Sequence, residues 1–211
     1  ASAPFRSVLK KGAAEVHTVE HVLSALAGLG ISDCLIESDA IEMPGMDGSA
    51  ADFVGAIQRA GVRALDGPAL DALVLRAPVE LSDGAARIAA LPHDGGLKIT
   101  FTLDYPGHPL AQGKIVLEVT PETYVAGIAR ARTFAIRKDA EAMRAAGLGR
   151  GADYENTVVI DGARALHTTL RFTDEPVRHK VLDLIGDLCL LGRPLHAHVV
   201  ASCSGHKANH A

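Results

Sequence analysis

The segment EPVRHKVLDLIGDLCLLG, residues 175–192, constrains the fold of this chain more than any other. Its apolar residues recur with helical spacing, and His179, Asp183 and Asp187 follow one another at intervals of four. A helix therefore places the three polar side chains on one face, one turn apart. Because the rest of the helix is mostly Val, Leu and Ile, this polar face is difficult to explain as a solvated surface. An ion pair between His179 and Asp183 at the surface is the alternative interpretation.

The spacing of His179 and Asp183 also suits a metal ion, since an imidazole nitrogen and a carboxylate oxygen one turn apart can bind the same zinc ion. A further ligand could come from HTVEH, residues 17–21. As H-x-x-E-H this segment matches the inverted zincin pattern, in which His17 and His21 are ligands and Glu20 is the general base.

Two interpretations of HTVEH remain open at this point. The inverted zincin, a metallopeptidase, requires a distant Glu as third ligand, and Glu80 and Glu118 are available in strand-like runs. In the other interpretation His21 alone binds the metal and Glu20 is the base. His17 then belongs to a strand or a loop.

A weak internal repeat indicates the domain organisation. EHVLSALAGLG and RHKVLDLIGDLCLLG each place a His near the start of an apolar helix that ends in Leu-Gly. This pattern is compatible with a duplicated unit whose two helices face each other. Gly67-Pro68 marks the boundary between the two parts, and each part contains strands and a pair of helices, which predicts an α+β fold.

Periodicity and turn residues predict the remaining elements. We expect irregular structure before His17, a helix after it with Thr18 as N-cap, and a short strand over SDCLIESD. A turn then leads into a helix capped by Ser49, with Asp52 as its capping-box partner. The later elements are strands in ALVLRAPVEL, ARIAAL, LKITFTLDY, KIVLEVT, NTVVIDG and LHAHVVASCSGH, a helix starting near Pro121, and a helix around residues 138–146.

Composition narrows the class of protein. The chain has 211 residues, 48% of them hydrophobic, which suffices for a substantial core. A net charge of −4 gives no reason to expect nucleic acid or an anionic membrane surface as partner. No apolar run approaches the roughly 20 residues of a membrane span, so we expect no stable membrane insertion. The three cysteines are widely separated, which favours a reducing compartment.

The end of the chain offers one more candidate for chemistry. His206 follows the last predicted strand, where a loop side chain can enter a cleft and act as an acid or stabilise an oxyanion. Cys203 lies three residues earlier, so a Cys/His nucleophile is an alternative. For His210 we expect an exposed position on the next turn.

Five segments in order carry a resemblance to a known family: TVEHVLSALAGLGI, MDGSAADFV, ARTF, VRHKVLDLIGDL and SGHKANH. Together they resemble the zinc-dependent UDP-3-O-acyl-N-acetylglucosamine deacetylases of lipid A (lipopolysaccharide) biosynthesis. The resemblance covers nearly the whole chain. It is closest to versions in which a hydroxyacyl dehydratase domain is fused behind the deacetylase.

The resemblance implies one zinc ion bound by His21, His179 and Asp183. It also implies a set of roles around that ion: Glu20 as general base, His206 as the cation that stabilises the oxyanion and protonates the leaving amine, Asp187 as the group that orients His206, Thr133 as a hydrogen-bond donor to the oxyanion, and Lys180, Tyr105 and Phe134 as substrate contacts. The implied reaction removes acetate from a UDP-acylglucosamine in the cytoplasm.

The implied fold has two similar α+β domains packed helix to helix. Residues 1–66 would form the first domain, truncated at its N-terminus, and residues 67–211 the second, truncated at its C-terminus. A βαβ insert around residues 136–162 would shape a hydrophobic passage for the acyl chain. A fragment that binds the nucleotide sugar without turnover is the alternative, ahead of the metallopeptidase.

Overall fold

The computed structural model describes residues 2–3 and 5–211, which form an α+β fold as the sequence predicts. The strands are β1 (Ser2–Ala3), β2 (Arg6–Lys11), β3 (Ala14–His17), β4 (Leu73–Val74), β5 (Val79–Asp83), β6 (Ala86–Leu91), β7 (Leu97–Asp104), β8 (Gln112–Glu118), β9 (Phe134–Ile136), β10 (Val158–Asp161), β11 (Arg164–Leu166) and β12 (Leu195–Ser202). The helices are α1 (Glu20–Gly28), α2 (Ala51–Ala60), α3 (Pro121–Gly127), α4 (Arg137–Ala145), α5 (Glu175–Cys189) and α6 (His206–Asn209), with a 3₁₀ turn at Pro109–Ala111. Among the described helices, none combines the length and the apolar character that a membrane span requires.

The strands form three sheets within the described residues. β1, β2 and β3 make a small antiparallel sheet. β11, β10 and β9 make a second, mixed sheet. The largest sheet has the order β5-β6-β12-β7-β8, with β4 beside β12. In its centre β12 runs parallel to β7 and antiparallel to β6.

One face of the largest sheet covers the core. Alternate residues of its central strands are buried because successive side chains of a strand point to opposite faces. The inward-facing residues are Ile99, Phe101 and Leu103 of β7 and Ala197, Val199 and Ala201 of β12. They share one hydrophobic cluster with Val181, Leu182 and Ile185 of α5. Helix α5 is therefore the central element of the core.

Helix α1 packs directly on α5, as the repeated helix pattern predicts. Gly186 makes this contact close, since a Cβ there would lie 2.0 Å from the carbonyl oxygen of Glu20. The first turn of α1 consequently lies against the polar face of α5.

The boundary predicted at Gly67-Pro68 falls in a stretch without helix or strand, residues 61–72. The division into two domains stays a prediction.

Residues 134–161 form a β-α-β unit. β9 leads into α4, and β10 returns parallel to β9 with Phe134 paired to Val158. β11 then adds an antiparallel strand on the other side of β10. The unit occupies the region where the resemblance implies the insert.

Two helix starts differ from the prediction. Thr18 is not the N-cap of α1, because its φ of 57° is left-handed and its hydroxyl donates to Glu42 at 2.6 Å; Val19 takes that position. Ser49 accepts the N–H of the first residue of α2 at 3.1 Å. Its predicted partner Asp52 is exposed, and no capping box forms at this helix.

Two predictions near the N-terminus were wrong. The strand expected over residues 32–39 is not formed, and Leu35 is 83% exposed. A strand needs a neighbour to pair with, and in the described residues β3 meets this region through one isolated bridge, between His17 and Glu42. The region before His17 is not irregular but forms the β2–β3 hairpin. Its turn begins with Gly12 at a φ of 61°, which glycine tolerates without strain.

Candidate metal centre and active site

Three potential metal ligands meet where α1 packs on α5. His21 comes from the first turn of α1, and His179 and Asp183 come from adjacent turns of α5. The Nε2 atom of His179 lies 3.4 Å from Asp183 Oδ1, and the Nε2 atom of His21 lies 3.9 Å from the same oxygen. All three side chains are buried. In the described part of the chain, this is the one group of three His, Cys, Asp or Glu residues whose ligand atoms converge within 4.8 Å.

The donor set fits a zinc ion. Ligand atoms about 2.0–2.1 Å from a tetrahedral ion are separated from one another by roughly 3.3 Å, close to the spacing of the His179 and Asp183 atoms. Burial lowers the pKa of His21 to about 4 and that of His179 below its usual value, so both rings are neutral and can offer a lone pair. The Nδ1–H of His179 donates to the carbonyl oxygen of Ala131 at 3.0 Å, which leaves Nε2 as the ligand atom.

The Glu20 carboxylate lies beside the ligand group, 3% exposed. Its Oε2 accepts the backbone N–H of Ser7 at 3.0 Å, and its Oε1 lies 3.8 Å from Nε2 of His206. Burial and the nearby Asp183 carboxylate raise the pKa of Glu20 to about 7. A carboxylate with this pKa can both accept and return a proton near neutral pH.

His206 opens the short helix α6 and faces the same space. Its Nδ1–H donates to Asp187 Oδ2 at 2.8 Å, while its Nε2 lies 4.0 Å from Asp183 Oδ2. Burial lowers the pKa of His206, but the hydrogen bond to Asp187 and the charges of Asp183 and Asp187 outweigh burial and raise it above its usual value. Burial would raise the pKa of Asp187, yet hydrogen bonds from His206 and His210 bring it down to about 2. His206 and Asp187 therefore form a cation–carboxylate pair.

Asp187 binds three further groups that the sequence did not indicate. The hydroxyl of Ser7 donates to Asp187 Oδ1 at 2.5 Å, and the amide of Asn209 donates to Oδ2 at 2.8 Å. The Nε2 of His210 lies 3.1 Å from Oδ1. His210 is an exposed residue, as expected, but its side chain turns toward Asp187 and is 19% exposed. His210 follows the last residue of α6, four residues after His206, and this spacing could have indicated that both side chains point the same way.

Comparison with known proteins agrees with the residues that converge here. The family model described as UDP-3-O-acyl N-acetylglycosamine deacetylase (LpxC) matches residues 2–211. The chain belongs to this deacetylase family. The resemblance seen in the five sequence segments is thus confirmed.

Several curated relatives carry the name UDP-3-O-acyl-N-acetylglucosamine deacetylase. The protein from Anaeromyxobacter sp. (strain Fw109-5) is 46% identical over 95% of this chain and 66% of its own length. The protein from Leptospira biflexa is 41% identical over 90% of this chain and 63% of its own length. The protein from Myxococcus xanthus is 42% identical over 97% and 65%, respectively. The chain therefore spans a little under two thirds of each of these deacetylases.

The other residues that the deacetylase resemblance singles out make the following contacts. Lys180 donates to Asp183 Oδ2 at 2.7 Å, and the charge of Asp183 outweighs burial to raise the Lys180 pKa. The rings of Tyr105 and Phe134 pack edge to face, 5.8 Å apart. Thr133 is half-buried, and its hydroxyl makes no hydrogen bond to the described residues. Their roles toward a substrate stay predictions.

The alternatives to a deacetylase site are not assembled in the described residues. His17 lies on β3 with its Nε2 3.1 Å from Glu15 and outside the converging group. Glu118 on β8 instead pairs with Lys98 at 3.1 Å. The Sγ of Cys203 donates to the carbonyl oxygen of Asp104 at 3.7 Å, so no Cys/His pair forms.

Proposed function

We propose that this chain is the zinc-dependent catalytic part of a deacetylase that hydrolyses the acetamide of UDP-3-O-acyl-N-acetylglucosamine. The products would be UDP-3-O-acyl-glucosamine and acetate, in the committed step of lipid A biosynthesis. The observation that carries the proposal is the convergence of a His-His-Asp ligand group, a buried carboxylate and a cationic histidine in one site of a family member. The names of the relatives support the substrate.

His21, His179 and Asp183 would hold the zinc ion, with a fourth position open as in catalytic zinc sites. A zinc ion bound there would supply the Lewis acidity that makes water nucleophilic near neutral pH. The lowered pKa values of the two buried imidazoles support this ligand set. Protons then compete less with a metal ion for the lone pairs of the ring nitrogens.

Glu20 would act as the general base. Its Oε2 is fixed by the N–H of Ser7, so Oε1 faces the space in front of His206 and can take the proton of the attacking water. Because its pKa lies near 7, the carboxylate is substantially ionised at neutral pH and can later return the proton.

His206 would stabilise the negative charge that develops on the carbonyl oxygen and protonate the leaving amine. Asp187 holds its Nδ1–H, so the proton on Nε2 points into the site. A preorganised cationic donor is most effective where charge develops in a site protected from water. The hydroxyl of Thr133, which has no hydrogen-bond partner among the described residues, would donate a second hydrogen bond to the same oxygen.

The two ends of the substrate would extend from this centre in different directions. Lys180, Tyr105 and Phe134 would contact its polar part, and the β9–α4–β10 unit would bind the acyl chain. We also propose a cytoplasmic location and, by resemblance, a fused or partner hydroxyacyl dehydratase.

The decisive experiment measures bound zinc per chain and acetate release for the wild type, Asp183→Ala and His17→Ala. Zinc and turnover lost in Asp183→Ala, with both retained in His17→Ala, would support the proposal. Zinc lost in His17→Ala alone would contradict it and favour the metallopeptidase. Zinc and nucleotide-sugar binding without acetate release would favour the fragment that binds without turnover.

A further inference from the structure

Residues 131–133, between α3 and β9, form a short loop that contacts the candidate metal ligand His179. The carbonyl oxygen of Ala131 accepts the Nδ1–H of His179 at 3.0 Å. Two residues later comes Thr133, the proposed second donor to the oxyanion. This short loop thus contacts one candidate metal ligand and carries one proposed donor.

The residue between them, Arg132, anchors the loop. Its side chain is 4% exposed, and all five guanidinium N–H groups have acceptors. The Nε and Nη2 atoms donate to the Glu175 carboxylate at 2.9 and 3.2 Å. The remaining donors reach the Thr168 hydroxyl at 2.9 Å, the Thr169 carbonyl at 2.7 Å and the Glu155 carbonyl at 3.3 Å. A planar group held by five contacts leaves the loop little freedom.

Glu175 ties this loop to α5. It is fully buried and accepts four N–H groups: the backbone N–H of Arg132 at 3.0 Å, two from its guanidinium, and the backbone N–H of Arg171 at 2.8 Å. On α5, Glu175 lies one turn before His179. The polar face of this helix therefore extends one turn beyond the candidate ligands, with a charged pair at its end.

We infer that the Arg132–Glu175 pair is a positioning device for the metal centre. The inference rests on the proposed function, since it assigns the pair no contact with metal or substrate. The pair joins the start of α5 to the 131–133 loop by bidentate hydrogen bonds, which fix distance and angle together. It thereby holds the Ala131 carbonyl against the ring of His179. It also fixes the position of Thr133, which is the next residue after Arg132. A group that supports a ligand in this way tunes metal affinity through the ligand's orientation.

The test is binding of Co²⁺ to the full chain, followed by its visible absorption, which reports ligand geometry directly. Glu175→Gln keeps the size of the side chain but removes the charge and one acceptor. We expect Co²⁺ affinity to fall about 10- to 100-fold, as for other changes behind a metal ligand, and the absorption bands to shift. Leu184→Ala is the matched control, because it removes a fully buried side chain from the same helix away from the polar face. It should lower the unfolding midpoint and leave the spectrum unchanged.

A milder variant keeps the test informative if Glu175→Gln does not fold. Thr168→Val removes one acceptor of Arg132 and should give a smaller shift in the same direction. Wild-type affinity and spectrum in the folded Glu175 and Thr168 variants would overturn the inference, as would an equal spectral change in Leu184→Ala. A wild-type chain that binds no Co²⁺ would refute the metal site and this inference together. Co²⁺ binding that Asp183→Ala abolishes and Glu175→Gln leaves intact would refute the positioning role alone.

Discussion

Replacing Gly186 with Ala tests how strictly the site depends on the contact between α1 and α5. The new Cβ would lie 2.0 Å from the Glu20 carbonyl oxygen, whereas ordinary contacts begin at 3.4 Å. The neighbouring atoms are backbone, so the helices must separate by about 1.4 Å rather than rotate a side chain. Metal–ligand distances tolerate only about 0.2 Å, and His21 adjoins the displaced residue. We expect metal affinity to fall by at least about 100-fold, beyond the usual loss for changes behind a ligand.

The same substitution should also destabilise the fold by about 1–3 kcal/mol, as overpacking does in close-packed cores. Gly55→Ala on α2 is the matched control, since its Cβ meets the flexible end of Arg59 at 3.2 Å and should gain about 1 kcal/mol of helix propensity. Metal titration and chemical denaturation measure the two effects. Wild-type metal affinity in Gly186→Ala would refute the argument that this contact sets the separation of the ligands.

Three further results are expected. Glu20→Gln should lower kcat by about 10²–10⁴-fold, the usual contribution of a general base, with bound zinc unchanged; turnover within tenfold of wild type would contradict the base assignment. The rate should be bell-shaped in pH. It should rise as Glu20 deprotonates at or below about pH 7, because a bound cation lowers its raised pKa, and fall at higher pH as His206, whose pKa is raised by Asp187 and Asp183, loses its proton. A profile without an alkaline decline would count against His206 as the acid. Ser7→Ala should cost about 1.5–3 kcal/mol of unfolding free energy, since its buried hydroxyl donates to a charged carboxylate; denaturation of the exposed Ser38→Ala provides the reference.

Local patterns predicted much of this molecule. The four-residue spacing on α5 identified the polar face, and helical periodicity located α1 and most later elements within a few residues. Glu175 continues the same spacing one turn earlier and could have been included. Its partner Arg132 could not, because the pairing joins segments far apart in the chain.

The errors share a physical cause, namely contacts between distant segments. Ser7 of β2 donates to Asp187 of α5 across 180 residues of sequence, and no pattern around either residue reports that approach. The strand expected near Leu35 has suitable residues but no neighbouring strand among the described residues. Propensity alone does not supply the hydrogen bonds that a strand requires.

The ligand group draws His21 from one end of the chain and His179 and Asp183 from the other, so a bound ion would act as a cross-link between segments that separate on unfolding. Its effect on stability then follows mass action: at a free metal concentration 100 times Kd, the native state gains about 2.7 kcal/mol. The unfolding midpoint of the chain should rise with added Zn²⁺ and fall with a chelator. Metal supply would thus govern how long the folded protein persists, as well as how fast it works.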